Sequence, residues 1–284
     1  MRHMKVFMLM AGLTALLMLF GQYLGGQSGA VLFLVIAAVM NLGMYWFSDR
    51  VVLRMYKAQI IGPEEAPELY QMVDRLRQRA GLPMPTVAIS PQDQPNAFAT
   101  GRGPNSAVVC FTRGILRALP PEELAGVTAH ELAHVKHRHM LVSTLAATMA
   151  GAVAMLGSVA RWGMILGGGR DSDRNPFAVL LMAILAPIGA MIIQFAISRS
   201  NEFQADRTGG EIVGDPMALA RALERLDRQA HQIPMNVNPA AAQLAIVNPL
   251  AGMRSAGLTG LFRTHPPTED RVQALREQAT QSGR

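Results

Sequence analysis

Charge is scarce in this chain and cysteine almost absent. Only 16% of its 284 residues are Asp, Glu, Lys or Arg, and half are hydrophobic, which is charge-poor for a soluble protein. The single cysteine, Cys110, excludes an intramolecular disulfide framework and is compatible with a reducing compartment. It falls in the apolar run from Ala107 to Phe111, where a packed strand cysteine fits better than a nucleophile. Internal repeats and long low-complexity tracts are missing. Gly167-Gly168-Gly169 has no Lys-Ser/Thr after it, so it reads as a loop and not as a phosphate cradle. The net charge of +6 comes without aromatic-basic interleaving or a basic recognition helix, which argues against nucleic acid as a partner.

The apolar residues are clustered. Val6 to Gly26, Gly29 to Phe47, Met140 to Ala160 and Phe177 to Ile197 carry no charge, and each is about the 20 residues needed to cross a bilayer core. The first run is long for a signal sequence, and a second follows after only Gln27-Ser28, so a tight transmembrane hairpin fits better than a cleaved leader. Of the 26 Lys and Arg residues, 11 lie between the second and third runs, 10 after the fourth, two at the N-terminus and three between the third and fourth. The positive-inside bias therefore places the N-terminus, the middle segment and the C-terminus in the cytoplasm. A positive net charge also suits an anionic inner leaflet.

Between the hairpins the pattern changes. Pro67 to Ala80 reads as an amphipathic helix stopped by Gly81. Thr86 to Ser90, Asn96 to Thr100 and Ala107 to Thr112 read as short strands of a small antiparallel sheet. Helices are expected from about Pro121 to His139, Ser198 to Gly210, Pro216 to Ala230 and Pro266 to Gln278.

The helix at 121–139 carries His130-Glu131-Leu132-Ala133-His134, an H-E-x-x-H. Positions four apart share a helix face, so both histidines can reach one metal ion, with Glu131 placed to act on its water. A hydrolytic zinc site takes three protein ligands and keeps a position open. His137 is a poor third ligand, since it lies about 10.5 Å along the axis from His130; His137 and His139 read as surface or membrane-boundary histidines. Glu202 is the better candidate. It stands four residues before Asp206, which is then placed to accept from the outer nitrogen of a ligating histidine, His130 above all. The two apolar runs between His134 and Glu202 would, as a hairpin, bring both ends to one membrane face.

Together these motifs closely resemble HtpX-type membrane zinc metalloproteases, relatives of the prenyl-protein CAAX proteases. The resemblance runs over nearly the whole chain. It includes His130 to His134, Ser198 to Asp206, Asn96 to Gly101, Val247-Asn248-Pro249-Leu250 and Thr264 to Arg271. It implies a mainly α membrane protein, with two transmembrane helical hairpins and a cytoplasmic zincin-like α+β metalloprotease domain. The hairpins would be 1–48 and 140–197, and the protease domain would be shared between 49–139 and 198–284. It implies one zinc ion per chain on His130, His134 and Glu202, with Glu131 as general base. Asn96, Ala97, Phe98 and Ala99 would form the edge strand that pairs with an extended substrate. His265 would stabilise the oxyanion, with Arg271 in support; from the residues alone His265 is a turn histidine before two prolines. The implied activity is endopeptidase cleavage of misfolded or damaged membrane proteins, in a multi-pass protein of the bacterial inner membrane with its site facing the cytoplasm. A CAAX-type protease, an ion transporter and a non-catalytic scaffold are the rival readings. Four spans are few for the large chamber of the first, no apolar run holds the ionisable residue that the second needs, and intact motif residues count against the third.

Overall fold

The computed structural model describes residues 2–150, 198–230, 244–246 and 266–282. Helix α1 (Arg2–Met55) is a hairpin in itself, broken at Gly25 and Gly26. Gly26 has φ of 58°, a conformation that glycine adopts without a Cβ penalty. Its two halves, Met4–Gln22 and Gly25–Met55, are each long and apolar enough to cross a membrane. They meet closely at Gly21 and Gly29, where no side chain fits between the backbones. Farther along, Asn41 Nδ2 donates to Thr14 Oγ1 at 2.9 Å, the kind of side-chain hydrogen bond that joins helices in lipid. Most of the apolar surface faces outward: Phe7, Leu19, Val39 and Leu42 are each more than 60% exposed.

The rest of the described chain is a compact unit with its own core. Strand β1 (Gln59–Ile60) precedes α2 (Pro67–Ala80), whose Leu69, Met72, Val73 and Leu76 are buried. Strands β2 (Thr86–Ser90), β3 (Ala97–Thr100) and β4 (Val108–Thr112) complete a four-stranded sheet in the order β1-β2-β4-β3. The sheet is mixed and not antiparallel as expected, because β2 and β4 run parallel. The chain leaves β2, passes over to β3 at the edge, then returns as β4 into the gap between them. Alternation along a strand reveals burial but not which strand lies beside it.

Helix α3 (Arg113–Ala118) is capped by the Thr112 side chain and leads to α4 (Pro121–Lys136). Helix α5 begins at Met140 and is described to Ala150. Its Val142, Leu145, Ala146 and Met149 pack with Leu9, Leu13 and Leu17 of α1. The rest of the expected second hairpin, and His265, lie outside the described residues. Helices α6 (Arg199–Val213), α7 (Pro216–Ala230) and α8 (Thr268–Ser282) complete the unit. Leu219, Leu223 and Leu226 of α7 join Val127 and Leu132 of α4 in the main core.

Candidate metal centre

Helix α4 starts with Pro121 at its first turn and Glu122 and Glu123 beside it, matched to the helix dipole. Glu123 is buried and holds Arg225 of α7 by two bonds of 2.7 and 2.9 Å. This fork fixes the helix that carries the motif. Helix α6 then approaches α4 through Gly209: a Cβ there would lie 3.0 Å from the His130 Cα. A glycine at this point lets the two backbones come close enough for Glu202, two turns earlier on α6, to reach the motif histidines.

The approach brings His130, His134 and Glu202 together, with one ligand atom from each lying within 4.8 Å of the others. His130 Nε2 and His134 Nε2 are 3.1 Å apart. Glu202 Oε1 is 3.5 Å from His134 Nε2, and Oε2 is 3.9 Å from His130 Nε2. Two ligands about 2 Å from a tetrahedral ion sit about 3.3 Å apart, close to the spacing of these three side chains, which could therefore take three corners of such a site.

Behind His130 lies a buried ion network. Its Nδ1 is 2.9 Å from Asp206 Oδ1. Arg271 of α8, only 1% exposed, grips the same carboxylate with Nε at 2.8 Å and Nη2 at 2.7 Å. Its Nη1 donates to the Ile246 carbonyl at 2.9 Å. Arg271 thus braces the site from behind through Asp206, and its Nη1 also lies 3.9 Å from Glu202 Oε2; His265, which it was expected to support, lies outside the described residues. Burial works to raise the Asp206 pKa, but the guanidinium outweighs it and the carboxyl is held below its ordinary value. Burial also opposes a charge on His130, yet Asp206 prevails and its pKa rises. His134, with no such carboxylate behind it, is pushed down to about 3, first by burial and then by the charges around it, with Glu202 opposing. It is therefore neutral, with a free lone pair, at pH 7.

The outer nitrogen of His134 meets His139, Nδ1 to Nδ1 at 3.2 Å. This corrects the reading of His139 as a surface histidine, since it is 8% exposed; its place directly before α5 leaves the boundary reading standing. The helix ends before it, at Lys136, so the expected continuation to His139 does not occur. His137 is half-buried and meets Thr208 Oγ1 at 3.0 Å, away from the cluster.

Glu131 is buried on the other side of the histidines, beside β3. The Ala99 backbone N–H bonds to its carboxylate, and its pKa is pushed up to about 7. Burial is the main cause and Glu202 adds to it, while His130, the Ala99 N–H and Arg271 pull the other way. Phe98, Ala99, Met140 and Leu244–Ile246 line a cavity of about 50 Å³ with Glu131 and the three ligand candidates, room for an ion and water.

Of the expected substrate strand, Phe98 and Ala99 line this cavity. Thr112 N donates to the Asn96 carbonyl. In an antiparallel pair the bonded positions alternate, so the backbone groups of Ala97 and Ala99 point to the outer edge. Asn96 has a different place. Its Oδ1 accepts from Ile246 N at 3.0 Å and its Nδ2 donates to the Tyr56 hydroxyl at 3.4 Å, so it secures the cleft wall. Gly209, His139 and Ile246 had no signal in the sequence, because each acts through a neighbour distant in the chain or outside the motif.

An H-E-x-x-H helix joined by a glutamate from a second helix, in a membrane protein with an apolar hairpin, defines a metallopeptidase of the His-His-Glu kind. The chain belongs to peptidase family M48, which matches residues 63–279, and it is a metal-dependent protease. It is 59% identical to a "Protease HtpX homolog" of Gemmatimonas aurantiaca, over 97% of this chain and 98% of that one. A protein of the same description from Desulforapulum autotrophicum is 53% identical, over 94% and 87%. Among solved structures, the crystal structure of S. mikatae Ste24p matches with a TM-score of 0.48 and 18% identity, over 93% of this chain and 62% of that one.

Proposed function

We propose that this protein is a zinc endopeptidase that hydrolyses peptide bonds of misfolded or damaged membrane proteins, at the cytoplasmic face of the bacterial inner membrane. The observation that carries the reading is the convergence of His130, His134 and Glu202 with Glu131 beside them in one small cavity. Zinc suits the donor set, two imidazoles and a carboxylate. It suits the charge as well: buried Glu131, Glu202 and Asp206 face a single buried guanidinium, Arg271, an excess of carboxylates that a divalent cation would balance. When bound, the ion supplies a Lewis acid that polarises the scissile carbonyl and makes water a nucleophile near neutral pH.

The chain's own residues do the rest. Asp206 holds the Nδ1 proton of His130, so that Nε2 presents its lone pair to the cluster. Glu131, with a pKa poised by burial near neutrality, takes a proton from the attacking water at a carboxylate oxygen and gives it to the departing amine. The outward backbone groups of Ala97 and the carbonyl of Ala99, whose N–H is taken by Glu131, pair with an extended substrate, which gives affinity with little sequence preference. His265 is the proposed donor to the developing oxyanion.

The test is proteolysis of an unfolded polypeptide by the purified chain in detergent. Activity should vanish on chelation, return with zinc, and fall by at least about 10²–10⁴-fold in Glu131→Gln, which keeps its zinc. Glu131→Gln cleaving within a few-fold of wild type would remove the general-base assignment. Activity that survives full chelation would remove the metal.

A further inference from the structure

We infer that His139 is a positioning residue for the metal centre: its Nδ1 accepts the Nδ1 proton of His134 and so fixes that ring as a ligand. The inference rests on the proposed metal centre and extends it to a second supported histidine.

The backbone places His139 there. Helix α4 ends in a turn in which Arg138 has φ of 54°. The Arg138 N–H bonds to the Val135 carbonyl at 3.0 Å and the His139 N–H to the His134 carbonyl at 2.9 Å. These are the two bonds of a Schellman stop, which folds the residue after the left-handed position back over the last turn. His139 is that residue. It is joined to His134 twice, once through the backbone and once ring to ring at 3.2 Å. The His139 side chain is buried where helix α5 begins, and its ring stacks on His137 at 5.5 Å.

The proton assignment follows from the geometry. Two ring nitrogens 3.2 Å apart need one proton between them. His134 turns Nε2 toward His130 and Glu202, and a nitrogen that ligates a cation carries no proton. The proton of neutral His134 is therefore on Nδ1, and His139 Nδ1 is its acceptor. Such outer partners fix the tautomer and orientation of a ligating imidazole, and their loss typically costs about 10–100-fold in metal affinity or activity. The two ligand histidines are thus held by different groups: His130 by a carboxylate clamped by Arg271, His134 by a neutral imidazole.

Asp and Asn make the decisive variants. Their Oδ atoms are as many bonds from the backbone as Nδ1 of histidine, and they accept hydrogen bonds. Leucine has a similar size and no acceptor. The experiment is competition for zinc between a chromophoric chelator and the full-length chain in detergent, for wild type, His139→Leu, His139→Asn, His139→Asp and His130→Ala. The melting temperature of each metal-free protein is measured alongside. His139→Leu should bind zinc about 10–100-fold more weakly, and His139→Asn and His139→Asp should recover most of that loss at equal metal-free stability. Wild-type affinity in His139→Leu overturns the inference, and so does an equal loss in all three His139 variants. If His130→Ala also binds as wild type does, it is the metal centre itself that fails. A loss confined to variants with a lowered metal-free melting temperature assigns His139 to packing and overturns its role as acceptor.

Discussion

Val39 in the second half of α1 leaves 66% of its surface exposed, while Arg271 behind the metal cleft leaves 1%. By the ordinary logic of a water-soluble protein each is on the wrong side. The hairpin turns Phe7, Leu19 and Leu42 outward and keeps Asn41 against Thr14. The protease unit buries Glu131 and Glu202 at a small cavity, with Asp206 buried behind His130. In lipid an outward valine costs nothing, and the polar group is the one that needs a partner. In the cleft a buried charge is tolerable because Arg271 and Asp206 satisfy one another with two short bonds. Burial therefore has to be read against the solvent of each region.

The largest effect is expected where the buried charges are separated. Removing one partner of a buried pair typically costs about 3–5 kcal/mol. Asp206→Asn takes from buried Arg271 the carboxylate it grips and leaves Glu202 Oε2 at 3.9 Å as its nearest ion-pair partner among the described residues. It also weakens the acceptor for His130, for about 10–100-fold in zinc affinity or cleavage. The stability difference should depend on pH in one direction. The Asp206 pKa is lowered in the folded chain, so its contribution is complete above the ordinary carboxylate value of about 3.9 and is lost as pH falls through the lower folded value. Melting of wild type and Asp206→Asn across acid pH checks this. A difference that grows on acidification would show that the pair does not stabilise the fold.

That pair also marks how far the sequence was legible. The four-residue spacings of His130 with His134 and of Glu202 with Asp206 are properties of single helices, and periodicity shows them directly. The long uncharged runs are just as local, and so are Pro67 to Ala80 and the three main strands. Arg271 could be located in a motif, but its grip on Asp206 spans 65 residues, and no local pattern encodes it. The parallel pairing of β2 with β4 was invisible for the same reason. Gly209 looked like an ordinary glycine within a helix, since its importance lies in the His130 backbone opposite. His139 was read as lying on a helix that in fact stops at Lys136; only the turn at Arg138 brings its ring back to His134.

A middle-sized effect separates the two solvents directly. Val39 lies near the centre of the second apolar half, so Val39→Lys should cost about 2.5–3.5 kcal/mol of membrane insertion. At an exposed site in water the same change falls within about 0.5 kcal/mol. Glycosylation or protease-protection mapping of the inserted fraction measures it. Full insertion of Val39→Lys would mean that this face lines protein or water instead of lipid.

The smallest effect falls at the junction of the two regions, at Arg138. Its φ of 54° costs a residue with a Cβ about 1–2 kcal/mol, and glycine is the usual occupant of this turn position. Glycine loses about 0.5–1 kcal/mol in chain entropy on folding, so Arg138→Gly should stabilise the protein by up to about 1 kcal/mol in neutral detergent. The turn itself is retained, so His139 keeps its place and zinc affinity stays within about twofold of wild type. An anionic bilayer adds a second term. Arg138 is exposed and stands two residues before α5, which in the proposed topology is at the cytoplasmic membrane surface. A basic side chain near an anionic surface is worth about 1 kcal/mol, which offsets the relief of backbone strain. Unfolding of wild type and Arg138→Gly should therefore differ in neutral micelles and nearly coincide in anionic bicelles. An equal gain in both media would place Arg138 away from the lipid headgroups. A loss in neutral micelles would mean that its side chain contributes more to the fold than its backbone strain removes.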